Sequence, residues 1–304
     1  MSTRREWLTA AALLPALALA KKAAQYAKRP AFPLGIQFFT FSALAAGGWD
    51  AFSRAMQTAR AIGYASVEFA GLMGQSVQSI RSRAEELGLE LHSFHMGNDQ
   101  VREARLPGES IHDVQDRVYT PQGVLQVARI NLPIAKKLGC AWGVVAAAGR
   151  SNFADRDSMG RLCEAFNEAN KLARSMSMNL SYHMHPRDFE IVDGISPFEF
   201  MIANTDASLR FQVDVCWAAA AGIDPADLIR AHHARIVSLH LKDLAVNRTE
   251  SATAGEGVLD FEAIRKASEL IRSPLFYVER DGAPGVDPVV EARKAYEFLV
   301  NHGW

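Results

Sequence analysis

The sequence predicts an α/β protein in which eight parallel strands, each followed by a helix, close into a barrel. Short apolar runs alternate with amphipathic stretches from Leu34 to the end of the 304-residue chain, with no linker between successive pairs. Gly63, Gly88 and Gly139 each follow a helical stretch and precede an apolar run, as expected of helix C-caps. A doubly wound open sheet would show a glycine-rich phosphate loop after its first strand, and none is present there. The pattern therefore predicts a (β/α)8 TIM barrel.

The predicted elements follow from hydrophobic periodicity and from turn and capping residues. The predicted strands are 34–39, 65–69, 90–95, 141–145, 179–183, 209–214, 236–240 and 275–279. The predicted helices are 49–62, 77–87, 121–138, 156–176, 197–204, 225–232, 261–270 and 288–300. Ser196, Pro197 and Glu199 form a capping box with proline at the first helical position, which marks one helix start clearly.

Two connections are longer than simple turns. Residues 97–120 follow the third predicted strand, and residues 243–259 follow the seventh. Both leave the carboxyl end of a strand, where barrel enzymes build their sites. Long connections in compact domains are usually functional or disordered, and we expect these two to cover the site.

The first residues carry a targeting pattern. Arg4 and Arg5 precede an apolar run over 7–20 that ends in a small-residue cleavage motif at Ala18 and Ala20. The run is too short to favour a membrane span, and it resembles a twin-arginine export signal. The sequence predicts a signal peptide over 1–20, a lead-in over 21–33 and a single barrel domain over 34–304. We expect a periplasmic protein without stable membrane insertion after cleavage; an amphipathic N-terminal helix is the alternative.

Composition excludes several classes of partner and site. The chain has 33 basic and 34 acidic residues, a formal net charge of -1. This balance predicts no binding to nucleic acid. Three cysteines, Cys140, Cys163 and Cys216, are too few and too scattered for a disulfide framework or a thiolate metal site.

Four ionisable residues terminate successive predicted strands. His183, Asp214, His240 and Glu279 lie at the ends of the fifth to eighth strands. Consecutive strands of a closed barrel are neighbours, so these side chains should converge at one side of its mouth. Taken one at a time, each could be a hydrogen-bonded structural residue. Together, two imidazoles and two carboxylates predict one divalent metal ion: manganese first, with cobalt, iron or zinc as alternatives.

Seven short stretches, in a fixed order along the chain, resemble one family. They include Tyr-His-Met-His at 182–185, Val-Asp-Val-Cys-Trp at 213–217, His-Leu-Lys-Asp at 240–243 and Val-Glu-Arg-Asp at 278–281. The others are Leu-Gly-Ile-Gln-Phe-Phe-Thr at 34–40, Ile-Gly-Tyr-Ala-Ser-Val-Glu-Phe at 62–69 and Gly-Glu-Gly-Val-Leu-Asp-Phe at 255–261. By these motifs the chain is similar to the sugar phosphate isomerase/epimerase group of the xylose-isomerase-like superfamily.

The resemblance implies roles for the strand-end residues. Asp214, His240 and Glu279 fall on metal-ligand positions. His183 falls where many relatives carry a glutamate ligand, and His185 is its possible replacement or a catalytic partner.

The resemblance also implies residues that act on the substrate. It places Glu68 and His95 in the pocket, with a buried structural role as the alternative for each. Glu68, His95, His185 and Glu279 are thus the candidates for catalysis. Lys242 and Arg280 are candidate contacts to substrate oxygens, unless salt bridges hold them. Trp217 is a candidate wall for a sugar, because sugars stack on aromatic faces.

The implied reaction is proton abstraction next to a carbonyl of a keto sugar, with the metal stabilising the enediolate. Return of the proton gives isomerisation or epimerisation; expulsion of a leaving group makes the protein a lyase acting on an inosose or a keto-glycoside. An exported protein is expected to act on a free or glycosidic keto sugar rather than on a phosphate. The competing classes are a non-catalytic periplasmic sugar-binding barrel and a three-zinc endonuclease. The endonuclease is disfavoured because Trp217 stands where that cluster needs a histidine.

Overall fold

The computed structural model describes residues 32–282 and 285–304. The predicted signal peptide and the lead-in up to residue 31 lie outside the described residues. Within the described part of the chain, no helix is long and apolar enough to cross a membrane.

Eight parallel strands close into a barrel in chain order, with the first strand hydrogen-bonded to the eighth. This confirms the predicted (β/α)8 TIM barrel. The barrel strands are β1 (Leu34–Gln37), β2 (Ser66–Ala70), β3 (Ser93–Met96), β4 (Trp142–Val145), β5 (Asn179–His183), β6 (Arg210–Asp214), β7 (Ile236–Leu241) and β8 (Leu275–Val278).

Helices surround the barrel and cover the outward-facing apolar side chains of the strands. The eight predicted helices are present as Trp49–Ile62, Val77–Leu87, Pro121–Leu138, Arg156–Ser175, Pro197–Asn204, Pro225–His232, Phe261–Ser268 and Pro288–Asn301. Four further helices in the described residues are Ser42–Ala45, Asn98–Ala104, Ile111–Val118 and Val215–Ala220. Short 3-10 helices occupy Phe38–Phe41, Arg150–Phe153 and Pro186–Phe189.

Local hydrogen bonds moved several predicted boundaries. The first strand ends at Gln37 rather than at 39, because the Gln37 side chain accepts from the Phe39 amide and starts a 3-10 helix. The third strand begins at Ser93 rather than at 90, since Glu90 forms only an isolated bridge with Ser66. The eighth ends at Val278, one residue before Glu279.

The two long connections are structured. The first, 97–120, contains the helices Asn98–Ala104 and Ile111–Val118. The second, 243–259, contains an antiparallel pair of strands, Asp243–Leu244 with Ser251–Ala252. Both leave the carboxyl ends of barrel strands, so they contribute to the rim of the mouth.

One glycine sets the packing inside the barrel. A Cβ on Gly35 would lie 2.6 Å from Cδ1 of Tyr277, so only glycine leaves room for that ring. The Tyr277 hydroxyl group then forms a hydrogen bond of 2.8 Å with the Ser93 Oγ. This bond ties the interior of the barrel to the polar cluster at its mouth.

Candidate metal centre

Four side chains meet at the carboxyl ends of neighbouring strands. His183, Asp214, His240 and Glu279 each place one ligand atom so that all four atoms lie within 4.8 Å of one another. All four residues are buried. These are the four residues that the sequence proposed as ligands. His185 is not part of this group: its ring packs edge-on against His183, with centroids 4.8 Å apart.

The two oxygens of Asp214 have different environments. Asp214 caps the helix that follows β6, because its Oδ1 accepts hydrogen bonds from the Cys216 and Trp217 amides at 3.0 and 3.1 Å. Its Oδ2 is buried and receives no hydrogen bond, although Lys242 Nζ lies 3.0 Å away. Burial raises the pKa of Asp214 to about 6, and the Lys242 charge opposes that shift. The helix cap therefore orients Asp214 and leaves Oδ2 with capacity for a cation.

Glu68 occupies the centre of a polar cluster beneath the four residues. Its carboxylate is completely buried and lies 2.8 Å from His240 Nε2 and 3.1 Å from His95 Nε2. It also accepts hydrogen bonds from the side chains of three residues: Gln37, Ser93 and Gln212. Burial acts to raise the pKa of Glu68, but His95 and His240 outweigh it and hold the pKa well below its ordinary range.

His240 has a carboxylate at each ring nitrogen. Its Nδ1 lies 2.8 Å from Glu279 Oε2, and its Nε2 lies 2.8 Å from Glu68 Oε1. Burial would lower the pKa of His240, yet the carboxylates of Glu279 and Glu68 raise it to about 10. The pKa of Glu279 is correspondingly lowered by Lys242 and His240, against the opposing effect of its burial.

Lys242 is a buried cation held among carboxylates. Its Nζ lies 2.9 Å from Glu279, 3.0 Å from Asp214 and 3.1 Å from Asp281. It also lies 4.8 Å from the centre of the Trp217 ring, a cation–π contact. Burial lowers the pKa of Lys242, but the three carboxylates more than compensate and raise it well above its ordinary value. Lys242, expected to contact substrate oxygens, therefore remains charged beside the candidate ligands.

Arg280 faces a different part of the mouth. Its Nη1 donates to the Ser251 hydroxyl group at 2.9 Å and to the Asp281 carbonyl oxygen at 2.7 Å. Its backbone amide donates to Thr40 Oγ1 at 3.1 Å. The guanidinium group, proposed from the sequence as a substrate contact, thus links β8 to the antiparallel strands that follow β7.

His185 adds a neutral base at the rim. Burial lowers the pKa of His185 to about 3, and the Lys242 charge adds to that shift. Its backbone amide donates to Asp188 Oδ2 at 2.6 Å, and Asp188 Oδ1 accepts from the Tyr182 hydroxyl group at 2.7 Å. The imidazole is therefore uncharged near neutral pH and able to accept a proton.

Sequence reasoning missed several residues of the cluster. Gln212 Oε1 lies 2.6 Å from His95 Nε2 and 2.9 Å from His183 Nδ1. The alternation along β6, which puts Gln212 on the same face as Asp214, was the available signal. No sequence pattern predicted the contacts of Gln37 and Ser93 with Glu68, because the three residues lie on separate strands.

The donor set fits a divalent cation. Asp214 Oδ2 is buried, and its one partner is the Lys242 ammonium, which leaves the oxygen capacity to accept from a cation as well. Among the buried side chains of the cluster, the carboxylates of Glu68, Asp214 and Glu279 face one ammonium, that of Lys242. One negative charge is left over with His240 protonated, and two are left over once His240 gives up a proton to bind a cation. Buried charges need a partner, and mixed nitrogen and oxygen donors suit manganese, cobalt, iron or zinc.

Comparison with known proteins agrees with the fold. The sequence model of the xylose isomerase-like TIM barrel family matches residues 56–301 of this chain. The chain belongs to this family. It is 24% identical over 278 residues to an inosose dehydratase of Geobacillus kaustophilus, an alignment covering 79% of this chain and 85% of that one.

Solved structures with the same fold include isomerases and epimerases. A sugar phosphate isomerase/epimerase from Parabacteroides distasonis has a TM-score of 0.72 and 21% identity, covering 87% of this chain and 96% of that one. The structure of an L-ribulose 3-epimerase has a TM-score of 0.68 and 15% identity, covering 88% and 93%. These similarities support the fold that the sequence predicted.

Proposed function

We propose that this protein is a divalent-metal-dependent isomerase or epimerase acting on an uncharged keto sugar or sugar derivative. The observation that carries the proposal is the convergence of His183, Asp214, His240 and Glu279 at the barrel mouth. Manganese is the first candidate. The cation would supply Lewis-acid polarisation of the substrate carbonyl group and neutralise negative charge that develops there.

The chain's own residues supply the proton transfer. Burial leaves the His185 imidazole uncharged, so one of its ring nitrogens has a lone pair to accept the proton next to the carbonyl group. The ionised carboxylate of Glu279, beside the Lys242 ammonium, is the second group able to accept that proton, and the group that takes the proton is the one that returns it to the substrate. Lys242 stays charged and stabilises negative charge on the substrate oxygens, while the ring of Trp217 forms one wall.

An uncharged substrate fits the charges of the mouth. Arginines of the connections after β3 and β4 are paired with carboxylates of the same rim. These pairs are Arg102 with Asp99, Arg117 with Glu109, and Arg150 with Asp113 and Asp116. Lys242 is likewise occupied by carboxylates. At the connections after β3 and β4, a phosphate group would meet acidic side chains and arginines already paired, so a keto sugar should be turned over faster than its phosphate ester.

The first test is metal content, followed by proton exchange. Purified wild type should retain about one manganese, cobalt, iron or zinc ion per chain. His240→Ala and Glu279→Ala should lose it, whereas His92→Ala should not. His92 is a matched control because its ring is partly exposed and pairs with Glu90 away from the site. Wild type without bound or retained metal would refute the mechanism and favour a non-catalytic sugar-binding protein.

Deuterium incorporation separates the possible reactions. In deuterated water, an isomerase or epimerase should place deuterium on the carbon next to the carbonyl group of a keto sugar. No group should leave the substrate in that reaction. A lyase would instead release water or an alcohol from an inosose or a keto-glycoside. The similarity to an inosose dehydratase favours including inososes in the screen, and elimination without any exchange product would assign the lyase alternative.

Export by the twin-arginine route is a separate proposal. It is supported by Arg4 and Arg5 ahead of the apolar run over 7–20. A double variant, Arg4→Lys with Arg5→Lys, should remain in the cytoplasm of a host that places wild type in its periplasm. Equal distribution of both proteins between the two fractions would refute this route.

A further inference from the structure

The two carboxylates that flank His240 differ in what else they contact. Glu279 belongs to the group of candidate metal ligands, together with Asp214 and His183. Glu68 lies deeper, is completely buried, and has hydrogen-bond donors from Gln37, Ser93 and Gln212 around it. A carboxylate with this many protein donors has no capacity left for a cation or a substrate proton.

Donor and acceptor chemistry fixes the proton on His240. A carboxylate only accepts hydrogen bonds, so the 2.8 Å contact from His240 Nε2 to Glu68 Oε1 requires a proton on Nε2. The Nδ1 atom points toward Glu279 Oε2, also at 2.8 Å. By the same rule Nδ1 also carries a proton in the metal-free protein. Glu279 belongs to the group of candidate ligands and Glu68 does not, so Nδ1 is the nitrogen that would give up its proton to a cation while Nε2 keeps its bond to Glu68.

The same carboxylate acts on His183 through Gln212. Because Glu68 only accepts, the group of Gln212 that faces its oxygens at 3.0 and 3.2 Å is the amide nitrogen. The amide oxygen of Gln212 then faces His183 Nδ1 at 2.9 Å. An amide oxygen also only accepts, so Nδ1 of His183 carries its proton and Nε2 has the lone pair.

We infer that Glu68 is a positioning residue that sets the tautomers of both candidate ligand histidines, His240 directly and His183 through Gln212. This inference rests on the proposed function, since it takes the two histidines as ligands of a divalent cation. It gives Glu68 a role through the histidines instead of direct proton transfer with substrate. Partners that hold ligand histidines in this way typically change metal affinity about 10- to 100-fold when removed.

Ring-nitrogen spectroscopy reads the tautomers directly. Zinc is diamagnetic, so long-range proton–nitrogen NMR on zinc-loaded protein with 15N-labelled histidine distinguishes protonated from metal-bound nitrogens. We expect His240 to show a protonated Nε2 and a metal-bound Nδ1, and His183 to show a protonated Nδ1 and a metal-bound Nε2. The opposite tautomer at either histidine would overturn the inference.

Metal affinity in matched variants gives a second test. We expect Glu68→Gln to weaken manganese binding about 10- to 100-fold, measured by isothermal titration calorimetry. Gln212→Leu preserves the contact of Glu68 with His240, so its loss should be smaller but still measurable. Asn131→Leu is the control, because it removes a buried side-chain amide from an outer helix and should bind manganese as wild type does.

The outcomes separate this inference from the proposed function. Wild type that binds neither zinc nor manganese would refute the proposed function. Wild type that binds, with Glu68→Gln and Gln212→Leu binding as tightly as Asn131→Leu, would refute only the positioning role. If Glu68→Gln does not fold, as seen by thermal unfolding, the NMR assignment of wild type and the Gln212→Leu titration still decide the matter.

Discussion

Replacing Lys242 by methionine tests whether the buried carboxylates of the site depend on a cation. Methionine keeps most of the volume of the side chain, but it removes the ammonium group and its cation–π contact with Trp217. In wild type, that group lies 3.0 Å from Asp214 and 2.9 Å from Glu279, whose side chains are 0% and 8% exposed. The side chain of Asp281 is 33% exposed, so solvent screens its interaction with Lys242 and the loss of that interaction should change the free energy of unfolding little.

The magnitude follows from leaving two buried carboxylates without their counter-ion. Removing one partner of a buried ion pair typically costs about 3–5 kcal/mol of the free energy of unfolding. A domain of this size loses roughly 2 °C in Tm per kcal/mol. In the presence of a chelator, we therefore expect Lys242→Met to unfold about 6–10 °C below wild type.

Thermal unfolding followed by circular dichroism is the assay. Lys266→Met is the matched control, because Lys266 pairs with Glu262 on an exposed helix surface and such pairs contribute little. Manganese should raise the Tm of Lys242→Met more than that of wild type, since a bound cation compensates the same carboxylates. A chelated Lys242→Met protein that unfolds within about 2 °C of wild type would refute the reasoning.

Two further predictions concern pH and packing. Burial raises the pKa of Asp188 to about 7, so between about pH 4 and 7 the native protein binds more protons than the unfolded chain. Asp188 therefore contributes up to about 4 kcal/mol to the free energy of unfolding at low pH, and this contribution is lost as the pH rises from about 4 to 7. When the free energy of unfolding is measured by denaturant titration at several pH values in that range, Asp188→Asn should lose less stability with rising pH than wild type. The same dependence on pH in both proteins would contradict this prediction. Gly35→Ala should cost about 1–3 kcal/mol by crowding Tyr277. Gly160→Ala should raise the free energy of unfolding by about 0.5–1 kcal/mol, because Gly160 lies in a helix and no atom lies within 4 Å of the added Cβ. The same change in the free energy of unfolding for both variants, measured in urea, would contradict both predictions.

The sequence by itself determined the barrel and the residues that end its strands. Strand and helix periodicities are local properties, so the eight strand–helix pairs could be read directly from the chain. Chain order in a parallel barrel is also spatial order. For that reason His183, Asp214, His240 and Glu279 could be grouped in advance, and the structure brings them within 4.8 Å of one another.

Only the tertiary structure decided what each of these side chains contacts. Glu68 meets Gln212 and His240 across 144 and 172 residues of chain, and no local pattern encodes such a pairing. Lys242 and Arg280 looked alike in the sequence as candidate contacts to substrate. The structure buries Lys242 among three carboxylates and turns the guanidinium group of Arg280 toward Ser251. The reason is physical: hydrogen bonds depend on distance and direction in space, and barrel closure sets both.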